Sequence, residues 1–358
     1  MTAIEWTDVV WNPTTGCDRV SPGCDHCYAL TMAKRLKGMG SAKYQTDGNP
    51  VTSGPGFGLA IHTDALSLPL RWRKPRRVFV NSMSDLFHDE VPQEFIAQVF
   101  AVMARTPQHT YQILTKRHGR LRSLVGGHLY DLMVRELTYA DNDGGVVKPK
   151  GLRWPLPNVW LGVSVENQQW ADIRIPALLD TPAMVRWLSC EPMLGPIDLS
   201  KWLGPVDWPS CWGQHSPSTE CAGCIQPEWV VVGGESGPGA RPMHPDWARQ
   251  LRDQCVDAGV PFFFKQWGEW QDGSHNARTQ HGPDHVIVAD GRHEPWLGHT
   301  VDGGRPGTSL ALARLRSERG TDRAVVISRV GKKAAGRLFD GRTWDEYPTT
   351  PTDRKAMP

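Results

Sequence analysis

Six short, nearly all-apolar runs recur along this chain with amphipathic helical patterns between them, and few architectures accept both. The runs are Val78-Phe79-Val80, Tyr111-Gln112-Ile113-Leu114, Val159-Trp160-Leu161-Gly162-Val163, Val185-Arg186-Trp187-Leu188, Trp229-Val230-Val231-Val232 and Val260-Pro261-Phe262-Phe263-Phe264. Strands that do not alternate apolar with polar residues must be covered on both faces. From Pro92 onward, Phe95, Ile96, Val99, Phe100 and Met103 fall on one helical face. After Pro245, Trp247, Leu251, Cys255 and Ala258 do the same before Gly259 ends the turn. With one earlier strand within residues 6–11, the pattern predicts an α/β fold. The expected form is a (β/α) barrel, full or partial, of six to seven parallel strands, carrying inserted loops and a C-terminal hairpin.

At 358 residues the chain is long enough for one such barrel with insertions. The barrel is expected over residues 1–270. Residues 206–228 interrupt it as a Cys-rich insertion, and residues 271–324, polar and rich in Gly, His and Arg, read as an insertion or lid. Residues 325–358 read as a hairpin and tail, built from 324–328 and 337–341 around Gly331-Lys332-Lys333. No apolar run approaches the ~20 residues that span a bilayer, which predicts no membrane role. The N-terminus lacks a signal-peptide pattern, so the eight cysteines are expected in a reducing cytoplasm, as ligands or buried thiols.

Chemistry gathers in two places. Cys17, Cys24 and Cys27 put three thiols within eleven residues, just before a helical segment. A structural zinc takes four protein ligands, whereas an iron–sulfur cube held by three thiolates leaves one iron open. The second place is the set of strand ends, where parallel barrels carry their reactive groups. The runs are followed by Asn81-Ser82-Met83-Ser84-Asp85, Thr115-Lys116-Arg117, Ser164-Val165-Glu166-Asn167, Ser189-Cys190-Glu191-Pro192, Gly233-Gly234-Glu235-Ser236-Gly237 and Lys265-Gln266. A ring of unlike charges suits a zwitterionic ligand.

The cysteine loop ahead of a helix, followed by strand-helix units, resembles the radical S-adenosylmethionine (SAM) superfamily. The spacing here is C-x6-C-x2-C rather than that superfamily's usual C-x3-C-x2-C, and His26 holds the position just before the third Cys where it usually has an aromatic residue. Over residues 4–270 and 325–348 the chain resembles more closely the phage-associated three-Cys-motif proteins, relatives of that superfamily. The carrying motifs are Glu5-Trp6-Thr7 before Trp11-Asn12-Pro13, the cysteine loop, Asn81-Ser82-Met83-Ser84-Asp85-Leu86-Phe87, Gly233-Gly234-Glu235-Ser236-Gly237, Phe264-Lys265-Gln266-Trp267-Gly268 and Gly341-Arg342-Thr343-Trp344. The resemblance implies a [4Fe-4S] cluster on Cys17, Cys24 and Cys27, SAM on the open iron, an electron donor protein, and hydrogen abstraction from a substrate. It implies Ser82 and Asp85 as partners of SAM's amino group and Ser164 and Glu166 at its ribose. Gly233 and Gly234 would admit the adenosine, and Glu235 and His26 complete the cofactor-binding candidates. Cys190, beside Glu191, is a candidate hydrogen donor, and Glu191 and Lys265 are the other catalytic candidates.

Cys211, His215, Cys221 and Cys224 give C-x3-H-x5-C-x2-C, open to three readings: a zinc site, an auxiliary cluster, or unligated thiols. Net charge is only +2, so nucleic-acid binding would need a local patch. Arg71-Trp72-Arg73-Lys74-Pro75-Arg76-Arg77 is the densest basic run, and Lys332, Lys333 and Arg337 form a second. The 16 tryptophans serve either a binding surface or the core. The leading expectation is a radical SAM enzyme acting on a nucleic acid or nucleotide in the cytoplasm of a bacterial phage host. The alternative is a zinc-binding, non-enzymatic nucleic-acid-binding phage protein, with His26 or Asp18 as a fourth ligand beside the three cysteines. A metal-dependent barrel hydrolase lacks the His-rich ligand set such an enzyme needs.

Overall fold

Each apolar run becomes one strand of a single parallel sheet in the computed structural model. The structure describes residues 4–140, 146–147, 151–204, 225–272, 285–288, 290, 292–295, 300–301, 305–306 and 324–349. The strands are β1 (Val9–Trp11), β2 (Arg77–Val80), β3 (Thr110–Thr115), β4 (Val159–Ser164), β5 (Val185–Cys190), β6 (Trp229–Gly233) and β7 (Phe262–Gln266). They lie side by side in chain order with every pairing parallel. An order that never reverses is barrel winding, and here it stops short of closure, with β1 and β7 as the two edges.

Helices cover the outer face. After α1 (Tyr28–Gly38) come α2 (Gln93–Arg105), α3 (His118–Val125), α4 (Leu129–Leu137), α5 (Gln168–Leu179) and α6 (Pro245–Asp257). Local chemistry sets their starts. Asn167 caps α5 by accepting from the Trp170 amide at 3.2 Å, and His244 caps α6 ahead of Pro245. The main core lies between these helices and the outward residues of the strands, such as Val78, Tyr111, Leu161, Leu188 and Val230.

The inner face is filled by rings. Trp6 lies 4.6 Å from Phe79 on β2 and 5.2 Å from Trp187 on β5. Those two strands would stand roughly 14 Å apart across a flat sheet, so one ring touching both requires the sheet to curl. Trp160, Trp229 and Phe263 complete this cluster. Of the two roles open to the tryptophans, these residues take the core.

The C-terminal stretch departs from expectation. Ala324–Arg329 does not fold back on residues 337–341. It pairs antiparallel with β8 (Trp270–Asp272) on one side and β9 (His285–Val288) on the other, and β9 in turn pairs with β10 (His293–Pro295). Numbered β11, it lies inside a four-stranded sheet of order β8-β11-β9-β10, so the expected hairpin is replaced by a sheet that draws on residues 271–324. A pairing that bridges some fifty residues leaves no local turn signal to read.

Beyond α7 (Lys332–Ala335), residues 344–347 run along the edge strand β7. Phe264 donates its amide to the Trp344 carbonyl at 2.9 Å, and the Phe262 amide donates to Glu346 Oε2 at 2.9 Å. Tyr347 lies 5.3 Å from Trp229 and 5.5 Å from Phe263, and carries the Arg77 guanidinium of β2 over its ring at 4.2 Å. One side chain thereby bridges β6 and β7 to β2, the strand next to the far edge. Lys332 Nζ, 3.4 Å from Glu5, crosses the same seam. Cys211, His215, Cys221 and Cys224 lie outside the described residues.

Candidate active site at the strand ends

A cavity of about 540 Å³ opens at the C-terminal ends of the strands, floored by Trp6, Phe79 and Leu114. Cys17, Cys24 and Cys27 all line it, as do Ser82 and Asp85 after β2, Lys116 and Arg117 after β3, Ser164 at the end of β4, Glu191 after β5, Gly234 and Glu235 after β6, and Lys265 at the end of β7.

The cysteine loop is held from three sides. Cys24 closes a short 3-10 turn from Pro22, and Cys27 immediately precedes α1, where the helix N-terminus favours negative charge. Ser21 donates to Glu166 Oε1 at 2.6 Å, and Gly23 comes so close that a Cβ there would lie 2.4 Å from Glu166 Cγ. Asp18 accepts from Thr52 at 2.5 Å and pairs with His88 at 2.9 Å. Arg241 donates to the Pro22 carbonyl at 2.8 Å and reaches Asp25 at 3.3 Å. Cys17 and Cys27 rest against Ala29, Ala33, Tyr44, Phe57 and Met83. Burial pushes the Cys17 thiol up to about 12, with the Asp85 charge adding and Arg117 opposing; burial likewise raises Cys27.

The carboxylates divide by what they already hold. Asp85 accepts from Thr115 Oγ1 at 2.7 Å, the Lys116 amide at 3.0 Å and the Phe87 amide at 3.0 Å, so it fixes the loop carrying Lys116 and Arg117. Glu166 is 0% exposed and bound to the equally buried Arg174 at 2.9 Å, with Lys116 at 3.8 Å. It does not line the cavity, and this corrects its expected place at a ribose: it clamps the cysteine loop to β4 instead. Glu235 receives both Arg241 Nε at 2.9 Å and Nη2 at 2.6 Å, plus His26 Nδ1 at 3.1 Å. Burial alone would raise its carboxyl, but the Arg241 hydrogen bonds hold it below the usual range. Glu191 takes Lys265 Nζ at 2.8 Å and Gln266 Nε2 at 2.9 Å, while Lys116 donates to Ser164 Oγ at 3.1 Å. Burial would lower the Lys116 ammonium, but Glu166 and the nearby thiols raise it.

The remaining candidates divide by place. Cys190 points outward into the helix-packed core, 0% exposed, because consecutive strand residues face opposite ways; it is not at the mouth. Gly233 and Gly234 both pack against protein groups, and Gly234 also lines the cavity. A Cβ on Gly234 would lie 2.0 Å from the Trp267 carbonyl oxygen, and one on Gly233 would lie 3.3 Å from Glu191. The Arg71–Arg77 run precedes β2 and so lies at the N-terminal ends of the strands, away from the cavity, whereas Lys332 lines it. Ser82, Ser164, His26, Glu191 and Lys265 do line the cavity. Arg241 and Ser21 carry no local sequence signal for their roles, and the eight-residue step from Glu166 is the one hint at Arg174.

A curled parallel half-barrel with thiols, cations and carboxylates converging on one cavity at its strand ends defines an α/β protein with a built ligand site. The chain belongs to the family described as protein of unknown function DUF5131, whose profile matches residues 1–348. No curated protein matches it. Among solved structures it is similar to spore photoproduct lyase complexed with dinucleoside spore photoproduct, at 11% identity over 69% of this chain and 60% of that one, with a TM-score of 0.30. It is also similar to a cysteine-to-serine mutant of that lyase (12%, 75% of this chain, 66% of that one, TM-score 0.33) and to a tyrosine-to-phenylalanine mutant (8%, 71%, 75%, TM-score 0.36). The chain thus spans 60% and 66% of the first two proteins' lengths. Among the described residues no helix is long and apolar enough to cross a membrane.

Proposed function

We propose that this protein is a radical SAM-type enzyme, with Cys17, Cys24 and Cys27 as the ligands of a [4Fe-4S] cluster. The observation that carries the reading is the common opening of all three thiols into one cavity at the strand ends, backed by buried cations. The donor set is soft and suits iron or zinc. Asp18 and His26, the fourth ligands of the zinc alternative, are already paired with His88 and Glu235, which leaves the three thiols without a fourth side chain to close a zinc shell.

When bound, cluster and SAM supply reductive cleavage of a sulfur–carbon bond and hydrogen abstraction from substrate. This chain's own groups do the rest. Ser82 and Ser164 offer hydroxyls inside the cavity, and Glu191, with Lys265, offers a paired charge in its lining. Trp6 and Phe79 close the floor and keep water from entering beneath. Arg19 and Lys332 at the rim suit a phosphate-bearing substrate, a nucleotide or nucleic acid. An electron donor protein, phage origin and action in a bacterial cytoplasm belong to the same proposal.

Anaerobic purification with iron and sulfide analysis tests it. The expected protein is brown, absorbing near ~400 nm, and releases 5′-deoxyadenosine from SAM on reduction. Cys24→Ala should lose the iron while remaining soluble. Full iron content in that variant would remove the ligand assignment.

A further inference from the structure

The loop after β3 carries a feature that the ligand assignment leaves unexplained. Arg117 Nη1 donates to Cys17 Sγ at 3.4 Å, while the same nitrogen stands 3.7 Å from Asp85 Oδ2. A guanidinium seeking only a carboxylate closes to ~2.8 Å, so this one is aimed at the sulfur with Asp85 behind it. Its backbone is pinned, since the Arg117 amide donates to Thr115 Oγ1 at 2.8 Å and Thr115 in turn donates to Asp85. The side chains of Arg117 and Asp85 are 9% and 8% exposed, so water screens neither charge well.

We propose that Arg117 is a positioning residue that raises the reduction potential of the metal group on Cys17, and that Asp85 tempers it. This rests on the cluster reading above. A hydrogen bond and a fixed positive charge at a ligand sulfur stabilise the state holding one more electron, and hydrogen bonds to the sulfurs are among the main determinants of cluster potentials. Asp85 acts oppositely, as a buried negative charge beside the same nitrogen. The pair sets how strong a reductant must be to load the site.

The test is a dithionite titration with redox mediators, followed by electron paramagnetic resonance, on the anaerobically reconstituted full chain. Arg117→Gln should make reduction at least about tenfold less favourable, about 59 mV downward for one electron. Arg117→Lys, which keeps the charge without the fork, should fall between, and Asp85→Asn should move the potential upward. An Arg117→Gln protein with wild-type iron content and an unmoved potential overturns the proposal. Should Arg117→Gln fail to take up iron, unmoved potentials in both Arg117→Lys and Asp85→Asn overturn it instead. A wild-type protein without iron and sulfide overturns the cluster reading itself, and this inference with it.

Discussion

Removing the Glu166 carboxylate should unfasten the cysteine loop and cost a large share of the fold's stability. Glu166 and Arg174 are both 0% exposed and meet at 2.9 Å. Arg174 has one other acceptor, the Ser164 carbonyl at 2.7 Å; its Nε and Nη2 have no partner, and its guanidinium lies 4.0 Å from the Trp170 ring. In Glu166→Ala a buried cation therefore keeps a single hydrogen bond. Breaking a buried pair in this way costs about 3–5 kcal/mol, and Ser21, losing its acceptor, adds about 1 kcal/mol. Domain stabilities are typically about 5–15 kcal/mol, so the loss is severe. Urea unfolding followed by both circular dichroism and tryptophan fluorescence measures it, provided the two probes coincide. Two companions separate charge from packing. Glu166→Gln keeps an acceptor for Ser21 and should lose less. The double variant Glu166→Leu with Arg174→Leu should recover much of the loss, because replacing a buried pair by apolar groups is often close to neutral. Under native conditions Cys24 in Glu166→Ala should alkylate faster. A Glu166→Ala protein within about 1 kcal/mol of wild type, with unchanged Cys24 reactivity, would refute the clamp.

Tyr347→Ala should cost about 2 kcal/mol in the same urea assay, since it removes the ring shared by Trp229, Phe263 and Arg77; an unchanged midpoint would show that the seam is held elsewhere. Glu235 has a folded carboxyl below its usual value, so its stabilising contribution is complete above the unfolded value of ~4.3 and is lost as pH falls through the lower folded one. Arg241→Ala should therefore flatten the fall of stability below about pH 4.3, as read from urea midpoints between pH 3 and 6; an acid limb as steep as wild type's would contradict it.

The sheet was legible because strands covered on both faces must be apolar almost throughout, and each of the six runs became a strand within two residues of its predicted ends. The helices at Pro92 and Pro245 followed from their caps and periodicity. The C-terminal pairing was not legible, because β11 finds its neighbours across a long and polar stretch. At the site, the barrel rule named the loops but not the direction of each side chain. Cys190 and Glu191 are adjacent in sequence and face opposite ways, one into the core and one into the cavity. Glu166 looked like a mouth carboxylate because an Arg eight residues on is only a weak sign of pairing and the approach of Gly23 has no local signature.

Tyr347 and its neighbours follow all seven strands in the chain, yet they cover the β7 edge and reach across to Arg77 on β2. During synthesis, the tryptophan-lined interior must therefore wait, exposed, for this late segment. A product shortened before residue 344 would keep that interior open, with an unpaired strand edge beside it, and so invite self-association.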